Sequence, residues 1–310
     1  MTPADSQARA LIERWDATPS VPIARLTATV VRQEDLMVLE LQATPDRLHA
    51  VDDIEVPGPA GAMTARVYRP RPGLLQTVLY LHGGGFVIGP DGYDAPLRQL
   101  ALSSGCLIVA LSCRLAPEHR FPAATEDAIA GARWLAANAQ ALGGLDAAIG
   151  IAGDSSGGNL AATVVRTLTR EGVPVAFQVL LYPMLDATAS SASYDEFAAG
   201  FGFSREKSLW YFDQYLPPEV DRRAPRVSPL FEPDLAGLPP TLIATAEFDP
   251  LRDEGEAHAD NLRRAGVDVE LRRYPGMIHG FFQMTAALDT ARRLHSELAQ
   301  WLSSRLLGEP

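Results

Sequence analysis

Five residues, Gly153-Asp154-Ser155-Ser156-Gly157, match the pattern G-x-S-x-G. The pattern gains meaning from its context. AAIGIA before it reads as a buried strand, and GNLAATVVRTL after it reads as a helix. A chain that turns sharply from strand into helix holds the central serine in a crowded, strained conformation, so it needs glycine on both sides. Such a turn lifts the Ser155 hydroxyl above the strand ends and aims the Ser156 N–H toward a bound substrate. Ser156 offers a second hydroxyl, one place off the nucleophile position. His82-Gly83-Gly84-Gly85-Phe86 follows another apolar strand. Consecutive glycines let backbone N–H groups approach an oxygen that becomes negative in a tetrahedral intermediate. Gly83 and Gly84, with Ser156, are expected as those donors. A phosphate cradle would need a Walker lysine or G-x-G-x-x-G, and position 88 is isoleucine.

A serine attacks poorly near neutral pH without a base and a group that orients the base. The chain has six histidines. His82 belongs to the glycine loop, His49 and His258 lie in pre-strand or helical contexts, His295 lies in the last helix, and His119 follows a Pro-Glu turn. His279, in the loop YPGMIHGFF, is the expected base and later the acid for the leaving group. On a strand–turn–helix elbow the orienting carboxylate falls between serine and histidine in chain order. Asp249 directly follows an apolar strand at 241–247, with Pro250 stiffening the turn, and Glu247 is its nearest rival. Asp154 reads as packing beside the elbow, and Asn159 as a tie from the helix start to a neighbouring loop.

These residues require strands to carry them. Apolar runs at 77–82, 106–112, 147–153, 177–183, 241–247 and 268–274 read as strands. Helical patterns lie between them at 94–104, 122–139, 157–170 and 253–266, with a last helix at about 285–306. Near-continuous apolar strands alternating with helices imply an α/β fold, a doubly wound and mostly parallel sheet. DDIEVP (52–57) and MTARVYR (63–69) read as a hairpin. Helical spacing recurs in ARALIERW and EDLMVLELQA near the start, around a TPSVP turn. Residues 184–228 interrupt the alternation with a small, polar stretch and then an aromatic-rich helix. The expected organisation is an N-terminal helical cap segment (1–50), an α/β catalytic domain (51–183 and 229–310) and a cap insertion (184–228). Of the cap aromatics, Trp15, Phe201, Phe203, Trp210, Tyr211 and Phe212, helical spacing assigns most to the cap's own core.

Lys plus Arg is 27 against 38 for Asp plus Glu, a net charge of −11 in 310 residues. Phosphate backbones and anionic lipid would repel such a chain, so neither nucleic acid nor a membrane surface is expected as a partner. Its stretches are too short and interrupted to span a membrane, and the start lacks a basic, apolar leader. Cys106 and Cys113 lie too far apart along one extended strand for a disulfide, which fits a reduced, cytoplasmic setting. No HExxH, CxxC or calcium-loop pattern is present, so no metal or cofactor is expected.

HGGGF (82–86), RLAPEHRFPAA (114–124), GDSSGGN (153–159), LLYPMLD (180–186), DPLRDEG (249–255) and HGF (279–281) stand in one order along the chain. In them the sequence resembles the hormone-sensitive-lipase-like, bacterial family IV carboxylesterases of the α/β-hydrolase superfamily. The resemblance implies a Ser155–His279–Asp249 triad, an oxyanion hole from Gly83, Gly84 and Ser156, and a cap from the N-terminus and a mid-chain insertion. It also implies short- to medium-chain esters as substrates, hydrolysed through an acyl-enzyme, and a homodimer through the region 268–306. Its motif suggests that Glu118 hydrogen-bonds near the glycine loop, and a plain surface-turn charge stays open as the other reading. Two positions depart from the family: Ser156 stands where alanine is usual, and Cys113 where tyrosine is usual. Amide or lactone hydrolysis by the same chemistry stays open. A ligand-binding protein on this fold, like the plant gibberellin receptors, would have a broken triad.

Overall fold

A computed structural model describes residues 5–18, 21–145 and 147–306. The expected turn at 18–22 lies partly outside them. Eight strands among the described residues form one sheet. In chain order they are β1 (Ala50–Gly58), β2 (Gly61–Arg69), β3 (Thr77–Leu81), β4 (Leu107–Leu111), β5 (Ile149–Asp154), β6 (Val175–Leu181), β7 (Thr241–Phe248) and β8 (Val269–Ile278). The spatial order is β1-β2-β4-β3-β5-β6-β7-β8. The hairpin β1–β2 is antiparallel and joins β4 antiparallel, while β4 through β8 pair in parallel.

Alternation along each strand feeds two cores. Leu79 and Leu81 of β3, with Val109 and Ile151, face α4 (Ala123–Asn138), α5 (Ser156–Arg170) and α8 (Arg252–Arg264). Val78 and Tyr80 of the same strand, with Ile108 and Val179, face α3 (Asp94–Ser104) and α9 (Asp289–Leu306). Both faces are therefore covered, and the central strands are buried at every position.

Three other helices lie outside this sandwich: α1 (Ser6–Asp16), α2 (Ala28–Asp35) and α7 (Arg205–Tyr215), with a single turn, α6 (Ala192–Glu196), before α7. The N-terminal helix expected over 34–43 sits elsewhere. Thr27 caps α2 by accepting from Val30 N, so the helix starts at Ala28, and residues 36–41 tighten into 3₁₀ turns. The last helix begins at Asp289 rather than near 285. Residues 285–286 are drawn off to the N-terminal segment, where Thr285 Oγ1 accepts from Ala43 N (3.0 Å) and Ala286 N donates to Leu41 O (2.9 Å). β8 runs on past Tyr274 to Ile278 through Pro275-Gly276, tolerable because β8 is an edge strand. No helix among the described residues is long and apolar enough to cross a membrane. Both cysteines are free, Cys106 buried and Cys113 half-buried.

Candidate active site

Parallel strands open a crevice at their carboxyl ends, and four of them deliver the expected groups there. β5 ends at Asp154 and Ser155 follows; β7 ends at Phe248 and Asp249 follows; β8 ends at Ile278 and His279 follows; β3 ends at Leu81 and the glycine loop follows. Ser155 has φ 52° and ψ −120°, a conformation that L-residues avoid unless their surroundings impose it. The surroundings do so. Its N–H donates to Leu181 O (2.9 Å) and its carbonyl accepts from Met184 N (2.9 Å). A methyl on Gly153 would lie 2.3 Å from Gly157 O, and one on Gly157 would lie 2.0 Å from Leu81 O. The glycines are needed because backbone meets backbone at the elbow.

Ser155 Oγ lies 3.0 Å from His279 Nε2, and His279 Nδ1 lies 2.8 Å from Asp249 Oδ2. The Asp249 side chain is fully buried and its Oδ1 accepts from Leu251 N (2.9 Å), which fixes the carboxylate. With that carboxylate accepting from Nδ1–H, Nε2 is the free base facing the serine. Tyr182 meets the His279 ring edge-on (centroids 4.9 Å apart) and Phe203 stacks on it (4.5 Å, 23°). The rival Glu247 is engaged elsewhere, its Oε2 accepting from Gly276 N (2.7 Å). Of the other histidines, His258 and His295 are buried and burial pushes their pKa down to about 4. His82 donates from Nδ1 to Gly83 O (2.8 Å).

The oxyanion expectation needs one correction. The Gly83 N–H is already spent on Tyr93 Oη (2.8 Å) and Asp154 Oδ1 (3.0 Å). Gly84 and its neighbour Gly85 have amides with no acceptor among the described residues, as does the Ser156 amide in the first turn of α5. Asp154 accepts from Gly83 N, Tyr80 Oη (3.0 Å) and Tyr93 Oη (2.8 Å), so it ties the glycine loop to the elbow. Burial raises its pKa to about 6 despite these donors. The Ser156 side chain is also used, its Oγ accepting from Phe86 N (3.2 Å). Asn159 Nδ2 donates to Met184 O (2.9 Å) and Val227 O (2.8 Å), the expected tie. Glu118 reaches the loop only indirectly. It pairs with Arg32 (2.7 Å), whose Nε donates to Val87 O (2.8 Å). That pairing pushes the Glu118 carboxyl down to about 2.

A cavity of about 380 Å³ opens over Ser155 and His279, within the range of small-molecule sites. Its walls include Met37, Val38 and Leu41 from the N-terminal segment and Phe203 and Tyr211 from 184–228. Trp15 also lines it, whereas Phe201 packs on Phe197 and Phe248, and Phe212 is fully buried near Phe86. Among the described residues no group of three or more potential ligands is arranged to hold a metal ion.

Residues 78–283 match a family model described as the alpha/beta hydrolase fold. The chain belongs to the alpha/beta hydrolase family, in its hormone-sensitive-lipase-like branch. Among curated members of this family, the carboxylic ester hydrolase LipN of Mycobacterium tuberculosis is 43% identical over 243 residues, 76% of this chain and 65% of that protein's length. The ethyl acetate hydrolase of Pseudomonas putida is 38% identical over 237 residues, 74% of each chain. An alpha/beta hydrolase enzyme from the metagenome of Lake Arreo, Spain, superposes with a TM-score of 0.94 at 37% identity, covering 98% of this chain and 99% of its own.

Proposed function

We propose that this member of the alpha/beta hydrolase family is a serine carboxylesterase acting on short- to medium-chain esters. One observation carries the reading: the unbroken chain Ser155 Oγ–His279 Nε2, His279 Nδ1–Asp249 Oδ2 at the floor of a largely apolar cavity. The named relatives are ester hydrolases, which supports the same bond as the target. His279 takes the Ser155 proton as the oxygen attacks the ester carbonyl. The carbonyl oxygen becomes an anion held by the amides of Gly84, Gly85 and Ser156. The tetrahedral intermediate collapses as His279 protonates the leaving alkoxide, giving an alcohol and an acyl-serine. Water, deprotonated by His279, then attacks the acyl carbon and releases the acid and free Ser155. Asp249 holds the imidazole in the tautomer this requires and stabilises the imidazolium.

Residues 1–50 and 184–228 serve in this reading as a cap that bounds the acyl chain. The reading also carries a homodimer through edge strand β8 and helix α9, which light scattering would test. Hydrolysis of p-nitrophenyl butyrate should fall at least about 10⁴-fold in Ser155→Ala, as in other enzymes of this mechanism. A fluorophosphonate should label wild type at Ser155 and leave the variant unlabelled. Wild-type turnover by Ser155→Ala would overturn the reading.

A further inference from the structure

Two polar side chains face the cavity without protein partners. Gln283 stands one turn past His279. It is 8% exposed, and its buried Oε1 has no hydrogen-bond partner. Asp35 ends α2 on the N-terminal wall, and its carboxylate makes no hydrogen bond or ion pair among the described residues. The nearby cation is already engaged, Lys207 Nζ lying 3.9 Å from Glu34 Oε2. The two side chains converge. A methyl placed on Gly92 would lie 3.3 Å from Gln283 Oε1 and 3.6 Å from Asp35 Oδ2. Val38, Ile88 and Met284 supply apolar wall beside them, and Tyr93 also lines the cavity there.

Folded proteins rarely leave a buried amide oxygen unpaired, because it gives up water and gains nothing. An unpaired buried amide oxygen beside an unpaired, half-buried carboxylate in one cavity indicates that a ligand completes them. An ionised carboxylate only accepts hydrogen bonds, and the free amide oxygen beside it accepts as well. Their complement is a donor. Resting on the esterase reading, we propose that Asp35 and Gln283 form a polar subsite that accepts hydrogen bonds from a hydroxyl or ammonium group carried by the ester, on its acyl or alcohol side.

The test compares matched esters that differ at one group, read by titration of released acid and divided by their alkaline hydrolysis rates. The pairs are 2-hydroxyethyl butyrate with propyl butyrate, and ethyl 3-hydroxybutyrate with ethyl 3-methylbutyrate. 2-(Dimethylamino)ethyl butyrate supplies the cationic donor. Wild type should favour at least one donor ester by about tenfold in kcat/KM over its apolar partner, the worth of a hydrogen bond to a charged acceptor. Asp35→Leu should abolish that preference and Gln283→Met should reduce it. Each ratio is taken within one protein, so it does not depend on how much of a variant folds. A preference for the ammonium ester that weakens with added salt identifies a cation as the donor, and a salt-insensitive preference for a hydroxyl ester identifies a neutral one. Wild-type ratios within twofold of one, or a preference unchanged in both variants, would overturn the subsite. Failure of the esterase reading looks different: wild type would then cleave none of these esters, nor p-nitrophenyl butyrate.

Discussion

Replacing Asp154 by asparagine should separate stability from catalysis. The carboxylate accepts from Tyr80 Oη and Gly83 N at one oxygen and from Tyr93 Oη at the other. Asparagine keeps one acceptor and presents an NH2 group where Tyr93 donates, so one charge-assisted bond is lost, about 1.5–3 kcal/mol. Burial holds the Asp154 pKa at about 6 against an ordinary 3.8. Ionising it at pH 8 therefore costs the fold about 3 kcal/mol, a cost asparagine does not carry. The two effects offset each other, so stability at pH 8 should change by less than about 2 kcal/mol. The offset depends on pH. A carboxyl whose pKa is raised by folding binds its proton more tightly when folded, so its cost is full above pH 6 and fades as the pH falls toward 4. Asp154→Asn should thus compare better with wild type at pH 8 than at pH 4.5. Catalysis has no such offset. Tyr93 must turn, and it also accepts from Gly83 N, so the glycine loop loses its tie to the elbow. Deleting an oxyanion donor costs about 10²–10³ in kcat, and displacing one should cost about 10–10². Thermal melts at both pH values, with kcat and KM for p-nitrophenyl butyrate at pH 8, measure each term. A kcat within twofold of wild type would refute the role of Asp154 in holding the loop.

Ser156→Ala leaves the buried Phe86 N–H without its acceptor, so thermal melts should show a loss of about 1 kcal/mol and turnover should fall a few-fold; an unchanged melting temperature would count against it. Phe203→Ala removes the ring stacked on His279 and deepens the cavity, so across p-nitrophenyl esters from acetate to decanoate the optimum should move to longer chains. An unmoved optimum would show that Phe203 does not bound the acyl chain. His258 and His295 have pKa values lowered by burial from 6.5 to about 4. Their stability contribution is intact above pH 6.5 and is lost as the pH falls through 4, about 3 kcal/mol each. His258→Leu should flatten the acid limb of stability against pH, and a limb as steep as wild type would contradict this.

The central strands and the helices between them were legible because those strands are apolar on both faces and the helices are periodic. The placing of Ser155, Asp249 and His279 at strand ends was legible because each directly follows an apolar run. The donor assignment of Gly83 was not. HGGG does not reveal which amide is claimed from outside the motif, here by Tyr93 and Asp154. Glu118 was left open between two readings for a related reason, since its link to the loop runs through Arg32, far away in sequence. The start of α2 was missed because a lone Thr27 cap outweighed the apolar spacing of 36–41. The unpartnered state of Asp35 and Gln283 leaves no trace in sequence, because it depends on what fails to come near them.

Ser155, Asp249 and His279 follow the ends of strands in one sheet, whereas Asp35 and Phe203 belong to segments remote in sequence from every one of them. Inheritance can act on these separately. A recombination junction within the β1–β2 hairpin would exchange the first wall whole, and substitutions over 198–211 would reshape the second, with the elbow untouched. Substrate range can then drift quickly across generations while the reaction itself stays constant.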